Sequence, residues 1–244
     1  MLQDDELKEM VHENAKAISE IVAKEEGSQN KFYSVEFRQK QIQEQIVNHV
    51  EIVQKKMYEG LKSCILSLDE CSDLPMDINE LMQELQTCLS SVDSIEKLSK
   101  LGDSFLSQIS WKSQLRISDK CMDTLFRGAT HLFDKKDYES AEKAFFALCC
   151  FDSTQFAYWV GLAHSYFHEA KYEEAINAYG TASALDPEDS WPHIWAANAF
   201  EEEKDFDRAR MAIDRALELE KAKTAKNLEL IQSLEERVQR VKMH

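Results

Sequence analysis

Apolar residues recur at steps of three and four along most of this chain, the spacing that gathers them on one face of an α-helix. Leu7, Met10, Val11, Ala15, Ile18, Ile21 and Val22 set this pattern over residues 3–26, and Gly27-Ser28 ends it. Ile42, Ile46, Val50, Val53, Met57, Leu61, Ile65 and Leu68 predict a second helix from about Val35 to Leu68. The segment Asp73-Leu74-Pro75-Met76-Asp77 breaks it, since Pro75 lacks a backbone donor, and Asp77 is a candidate N-cap for the next helix. A third helix is predicted over about Ile78 to Ile109, through Leu81, Leu85, Leu89, Val92, Ile95, Leu98, Phe105 and Ile109, with Gly102 placed to bend it. The second and third helices are each ~30 residues, or roughly 45–50 Å, and together read as an antiparallel hairpin. Stripes this narrow are not stable alone in water, so they must pack on each other, on the rest of the chain or on a second copy.

Beyond a join at Trp111 to Ile117, the pattern acquires a period of thirty-four residues between Met122 and Lys223. Segments starting at Met122, Phe156 and Ser190 superpose without a gap. Small residues align (Ala129/Ala163/Ala197, Ala141/Ala175/Ala209), and so do large ones (Leu132/Tyr166/Phe200, Phe145/Tyr179/Ile213). Small positions let two helices approach, and large ones fill the space beside them. This is the tetratricopeptide pattern, a helix–turn–helix unit that buries its apolar face only by stacking on a neighbour. Leu228, Ile231, Leu234, Val238 and Val241 then continue among Glu and Arg, as expected of a terminal helix covering the last apolar surface. The expected architecture is all-α: a long N-terminal helical hairpin domain over 1–112, then a domain over 113–244 of three tetratricopeptide repeats and a C-terminal capping helix.

Six glycines and three prolines in 244 residues leave long stretches free to be helical. A net charge of −16 repels a phosphate backbone, so neither nucleic acid nor an anionic membrane surface is an expected partner. No apolar run approaches the ~20 residues of a membrane span, and the acidic start does not resemble a secretory signal. The protein is therefore expected to remain, without membrane insertion, in the compartment where it is made. Cys64, Cys71, Cys88, Cys121, Cys149 and Cys150 show no zinc-ligand spacing and are expected as free thiols in a reducing cytosol. His164 and His168 stand four apart, as zinc ligands can, but Ser165 occupies the place of the metalloprotease glutamate and no third ligand follows at a recognisable spacing. Without a Gly-rich phosphate loop or nucleophile elbow, neither an enzyme nor a cofactor is expected.

Stacked hairpins of this kind curve into a concave groove, lined by the first helix of each pair. Positions 2, 5, 9 and 12 of those helices share one stripe: Asp123, Phe126, Thr130 and Phe133; then Ala157, Val160, His164 and Phe167; then Trp191, Ile194, Asn198 and Glu201. Most are apolar or aromatic, unlike a solvated face. The expected peptide-binding groove is Phe126, Thr130, Phe133, Val160, His164, Phe167, Trp191, Ile194 and Asn198, suited to apolar anchors of an extended segment. Tetratricopeptide co-chaperones that hold a C-terminal carboxylate need Lys and Asn at the fifth and ninth positions of the first repeat, and further cations in the third. Phe126, Thr130, Trp191 and Trp195 stand there instead, so a carboxylate would find no donor fork.

One stretch is more specific. Phe145, Leu148, Cys149 and Asp152, followed by Tyr158, Gly161 and Leu162, resemble the Phe-x-x-Leu-Cys-x-x-Asp and Tyr-x-x-Gly-Leu elements of the class II chaperones of bacterial type III secretion. The resemblance covers about residues 115–225, and Pro192-His193-Ile194-Trp195-Ala196-Ala197 shows a displaced form of that family's Pro-x-His-Ala-Ala. It implies a chaperone in the bacterial cytoplasm holding an unfolded segment of a secreted, hydrophobic translocator-type protein, with Phe133 at the family's aromatic groove position. A tetratricopeptide scaffold assembling a multi-protein complex is the other reading. For residues 1–112 the alternatives are packing on the array, a second client site, or a homodimer through the N-terminal helices.

Overall fold

The computed structural model describes residues 16, 19, 35–90, 111–223 and 227–241. The helix expected over residues 3–26 and the second half of that expected over 78–109 lie outside the described residues. Described elements are helical throughout: α1 (Val35–Leu68), α2 (Ile78–Ser90), α3 (Trp111–Leu115), α4 (Asp119–Asp134), α5 (Tyr138–Phe151), α6 (Phe156–His168), α7 (Tyr172–Leu185), α8 (Trp191–Glu202), α9 (Phe206–Ala222) and α10 (Leu228–Val241). The chain forms two compact units, one of residues 1–58 and 75–124, the other of residues 59–74 and 125–244.

In the first unit, Asp77 caps α2 as its position suggested, its Oδ1 accepting from the Asn79 amide at 2.8 Å. Ser118 caps α4: its Oγ accepts from the Cys121 amide at 3.1 Å and donates to Glu84 Oε2 at 3.0 Å. The Ser118 amide donates to the other Glu84 oxygen at 2.7 Å, so one carboxylate ties α2 to the start of α4. Leu81, Leu85, Leu115, Ile117, Cys121 and Met122 are the buried apolar residues around this link.

The second unit holds the repeats. From α5 to α10 each helix packs on the next, so stacking follows chain order. The turn inside each helix pair is the same three times. Lys136, Ala170 and Lys204 take left-handed backbone angles (φ 63°, 58° and 62°) at thirty-four-residue intervals. Around them the amides of Asp137, Lys171 and Asp205 donate to the carbonyls five residues back, of Leu132, Tyr166 and Phe200, at 3.0, 2.9 and 2.9 Å. This closure satisfies carbonyls that the ending helix would otherwise leave without partners. Asp137 and Asp205 then cap the next helices by accepting from the Ser140 and Arg208 amides at 3.2 and 3.0 Å.

Alanines at the predicted close contacts (129, 141, 163, 175, 197, 209) are fully buried. Ala163, Ala175, Ala178 and Tyr179 form one core. Ile194, Ala197, Ala209, Ile213 and Ala216 form the next, which Leu234, Val238 and Val241 of α10 complete. Glu201–Arg237 (2.8 Å) and Lys221–Glu235 (2.5 Å) hold α10 against α8 and α9. Leu228 stays outside this core, 72% exposed.

The last turns of α1 belong to this unit too. A Cβ on Gly60 would meet the Lys143 carbonyl oxygen at 1.9 Å, and one on Gly128 would meet the Cys64 carbonyl at 2.7 Å. Glycine is therefore what allows α1 to lie directly on α4 and α5. Ser67 Oγ donates to the Gly128 carbonyl at 3.0 Å, and Lys143 pairs with Glu59 at 3.1 Å. Lys143 stands two residues from Phe145, about 200° around the helix. Phe145 contacts α6 at Gly161, so the tail of α1 occupies the opposite face of α5.

Candidate binding groove

The first helices of the pairs, α4, α6 and α8, carry the expected groove residues. Phe126 is half-buried between Phe145 and Tyr158, with ring centroids 6.0 and 5.4 Å away. Thr130 donates its hydroxyl to the Phe126 carbonyl at 2.9 Å, so it serves its own helix. Phe133 meets Tyr138 at 5.3 Å, His168 at 5.5 Å and His164 at 6.3 Å. His164 in turn faces Trp195 at 4.7 Å, and Trp195 stacks on Trp191 at 5.8 Å. A half-buried aromatic floor thus runs from α4 across α6 to α8. Val160 and Asn198 are half-buried on α6 and α8.

One expected residue stands elsewhere and another lies at the margin. Ile194 is only 7% exposed and belongs to the α8–α9–α10 core. On α8 the groove side follows Trp191 and Trp195, four apart, and Ile194 is rotated about 100° from Trp195. Phe167 meets Tyr172 at 5.5 Å and packs on the Ala163–Ala175–Ala178–Tyr179 core, at the edge of the floor. Trp195, Tyr138 and His168 were missing from the expected set. The Trp191/Trp195 pair, one turn apart, was the available signal for the first of these.

His164 is the central polar group of the floor. Its Nδ1 lies 2.6 Å from the Tyr179 hydroxyl. Burial, reinforced by neighbouring His168, lowers its pKa from 6.5 to about 4. The ring is neutral at pH 7. His168 stacks face to face on Tyr138 at 4.4 Å and 8°. Among the described residues, no group of three or more His, Cys, Asp and Glu is arranged to hold a metal ion.

The motif residues are packing and capping groups. Phe145, Leu148, Cys149, Asp152, Tyr158 and Leu162 are all buried. Asp152 Oδ1 accepts from the Thr154 hydroxyl at 2.6 Å and amide at 3.2 Å, shaping the turn into α6. A Cβ on Gly161 would overlap the Phe145 ring at 2.4 Å, so this glycine admits the phenylalanine. None of the six cysteines is in a disulfide, and burial pushes the thiols of Cys64 and Cys121 up to about 12 and that of Cys149 well above its usual value. Those three are not poised as thiolate nucleophiles.

The fold is all-helical with tetratricopeptide-type repeats, and residues 166–229 match the tetratricopeptide repeat family model. Among solved structures, a chain of a type III secretion system complex from Aeromonas hydrophila is similar at 20% identity and a TM-score of 0.53, over 58% of this chain and 94% of that one. A chain of the CopN–Scc3 complex is similar at 22% identity and a TM-score of 0.54, over 65% and 96%. The type III secretion translocator chaperone SycD of Yersinia enterocolitica follows at 22% identity and 0.49, over 54% and 97%. At 20–22% identity these are likenesses of fold. No curated protein matches this sequence. Among the described residues, no helix is long and apolar enough to cross a membrane.

Proposed function

We propose that this protein is a cytoplasmic type III secretion chaperone whose groove holds an extended hydrophobic segment of a translocator-type secreted protein. The observation that carries the reading is the continuous aromatic floor Phe133–His164–Trp195–Trp191, which crosses three helices without being sealed into the core. A surface of this kind suits apolar side chains of an unfolded client. The Phe145–Leu162 element supports the secretion-chaperone class, since it matches that family's elements in sequence. Each buried anchor contributes roughly 1.5–3 kcal/mol, so several must act together to offset the cost of ordering the segment.

Trp191, 44% exposed, and Phe133 can be changed with limited damage to the cores. A Phe133→Ala, Trp191→Ala double variant should lose client capture from the native cell while keeping its helical circular dichroism. Client binding as tight as the parent's would remove the groove as the working surface.

The second reading, a scaffold or a homodimer joined through the N-terminal helices, is favoured by Ile52 and Tyr58 of α1, which are 64% and 67% exposed. Sedimentation of the intact chain separates a monomer from such a dimer.

A further inference from the structure

The aromatic floor contains a ring donor whose orientation the chain fixes but whose hydrogen it does not use. Tyr179 is 2% exposed, and its hydroxyl meets only His164 Nδ1 among the described residues. A buried hydroxyl hydrogen needs an acceptor. Tyr179 therefore donates to Nδ1, and in a neutral imidazole the proton then resides on Nε2. Among the described residues Nε2 has no partner, yet it is not one of the nitrogens sealed from solvent. Phe133 on one side and Trp195 on the other wall the ring, at 6.3 and 4.7 Å.

We infer that His164 is the polar reader of the groove, its Nε2–H donating to a backbone carbonyl of the bound extended segment. This rests on the groove reading above and adds to it how the segment is held in register. An extended segment has carbonyls without internal partners, and one laid on an aromatic floor loses water from them. A donor held there, in surroundings of low polarity, fixes one carbonyl while the apolar anchors settle on either side. A neutral imidazole brings no positive charge to offset the desolvation of a carboxylate, and the chain's net charge of −16 also disfavours an acidic segment. The occupant is an apolar, neutral or basic stretch of unfolded chain.

A library of short linear peptides, selected on the full-length protein, supplies the probe. The best binder is resynthesised with each backbone amide replaced in turn by an ester, which weakens the carbonyl as an acceptor. In the parent, one position should lose about tenfold in affinity. In the His164→Phe, Tyr179→Phe variant no position should, and the unmodified peptide should bind about tenfold more weakly. Changing both partners avoids leaving a buried hydroxyl unsatisfied. Nitrogen-15 histidine NMR of the unaltered protein makes the test independent of the variant's folding. It should show the Nε2–H tautomer, with that resonance moving on peptide addition. An Nδ1–H tautomer, an unmoved resonance, or a double variant that binds like the parent would overturn the assignment. If Phe133→Ala abolishes binding while His164 proves indifferent, the groove stands and the donor falls. A library yielding no binder overturns the groove reading and this inference with it.

Discussion

Glycine and alanine separate what the sequence motif encodes from what helix propensity prefers. Gly161 receives the Phe145 ring, whereas a Cβ on Gly180 in α7 would meet nothing within 4 Å. Gly161→Ala should therefore destabilise by about 1–3 kcal/mol, through overpacking. Gly180→Ala should stabilise by roughly 0.5–1 kcal/mol, since an exposed mid-helix glycine is the poorer helix former. Urea denaturation of both variants checks the contrast, and equal effects would refute the assigned packing. Ala170 is the converse case. It holds a left-handed φ of 58° where glycine is the usual residue, so Ala170→Gly should raise the melting temperature slightly. The elements that carried the family resemblance are scaffold chemistry at this scale: Gly161 admits Phe145, and Asp152 shapes a turn. They account for the fold and stand apart from the aromatic floor proposed to meet the client.

At the scale of elements, periodicity made the repeats legible because the physics itself repeats. The same small residue must sit at each close contact, and the same left-handed turn closes each pair. The terminal helix was legible for the same reason, from its apolar stripe. Leu234, 2% exposed, sits in the core that α10 completes, so Leu234→Ala should cost about 2–5 kcal/mol. Thermal unfolding measures it, and an unchanged midpoint would mean that α10 does not cover the array. The packing of α1 was harder to read. Its apolar stripe looked like half of a hairpin, while the face laid on α4 and α5 carries Gly60, Cys64 and Ser67. Steps of four and three between these small residues were the missed signal. Gly60→Ala should detach the tail of α1, seen as faster hydrogen exchange over residues 59–68. Ile194 was misplaced because a regular repeat position does not fix helix rotation, and the two tryptophans of α8 take the groove side.

The whole molecule is acidic, yet its groove is neutral at its centre. His164 has a folded pKa of about 4 against an ordinary 6.5, so between these values the unfolded chain binds more protons than the folded one. Stability from this group is fully present above pH 6.5 and is lost as pH falls toward 4. The parent's melting temperature should thus drop more steeply across that window than that of the His164→Phe, Tyr179→Phe variant. Matching slopes would show that the imidazole is not held neutral. Charge and pattern together gave the architecture, whereas the exact lining of the floor depends on side-chain rotation that spacing alone does not specify. Finally, the array is closed at both ends, by the tail of α1 on α5 and by α10 on α9. If the groove works as proposed, its floor is a ruler for the segment it holds. Centroid steps of 6.3, 4.7 and 5.8 Å from Phe133 through His164 and Trp195 to Trp191 bound the floor at about 17 Å, or about five residues of extended chain at ~3.3 Å each. Peptides trimmed below that length should lose affinity stepwise, and longer ones should gain nothing from this surface.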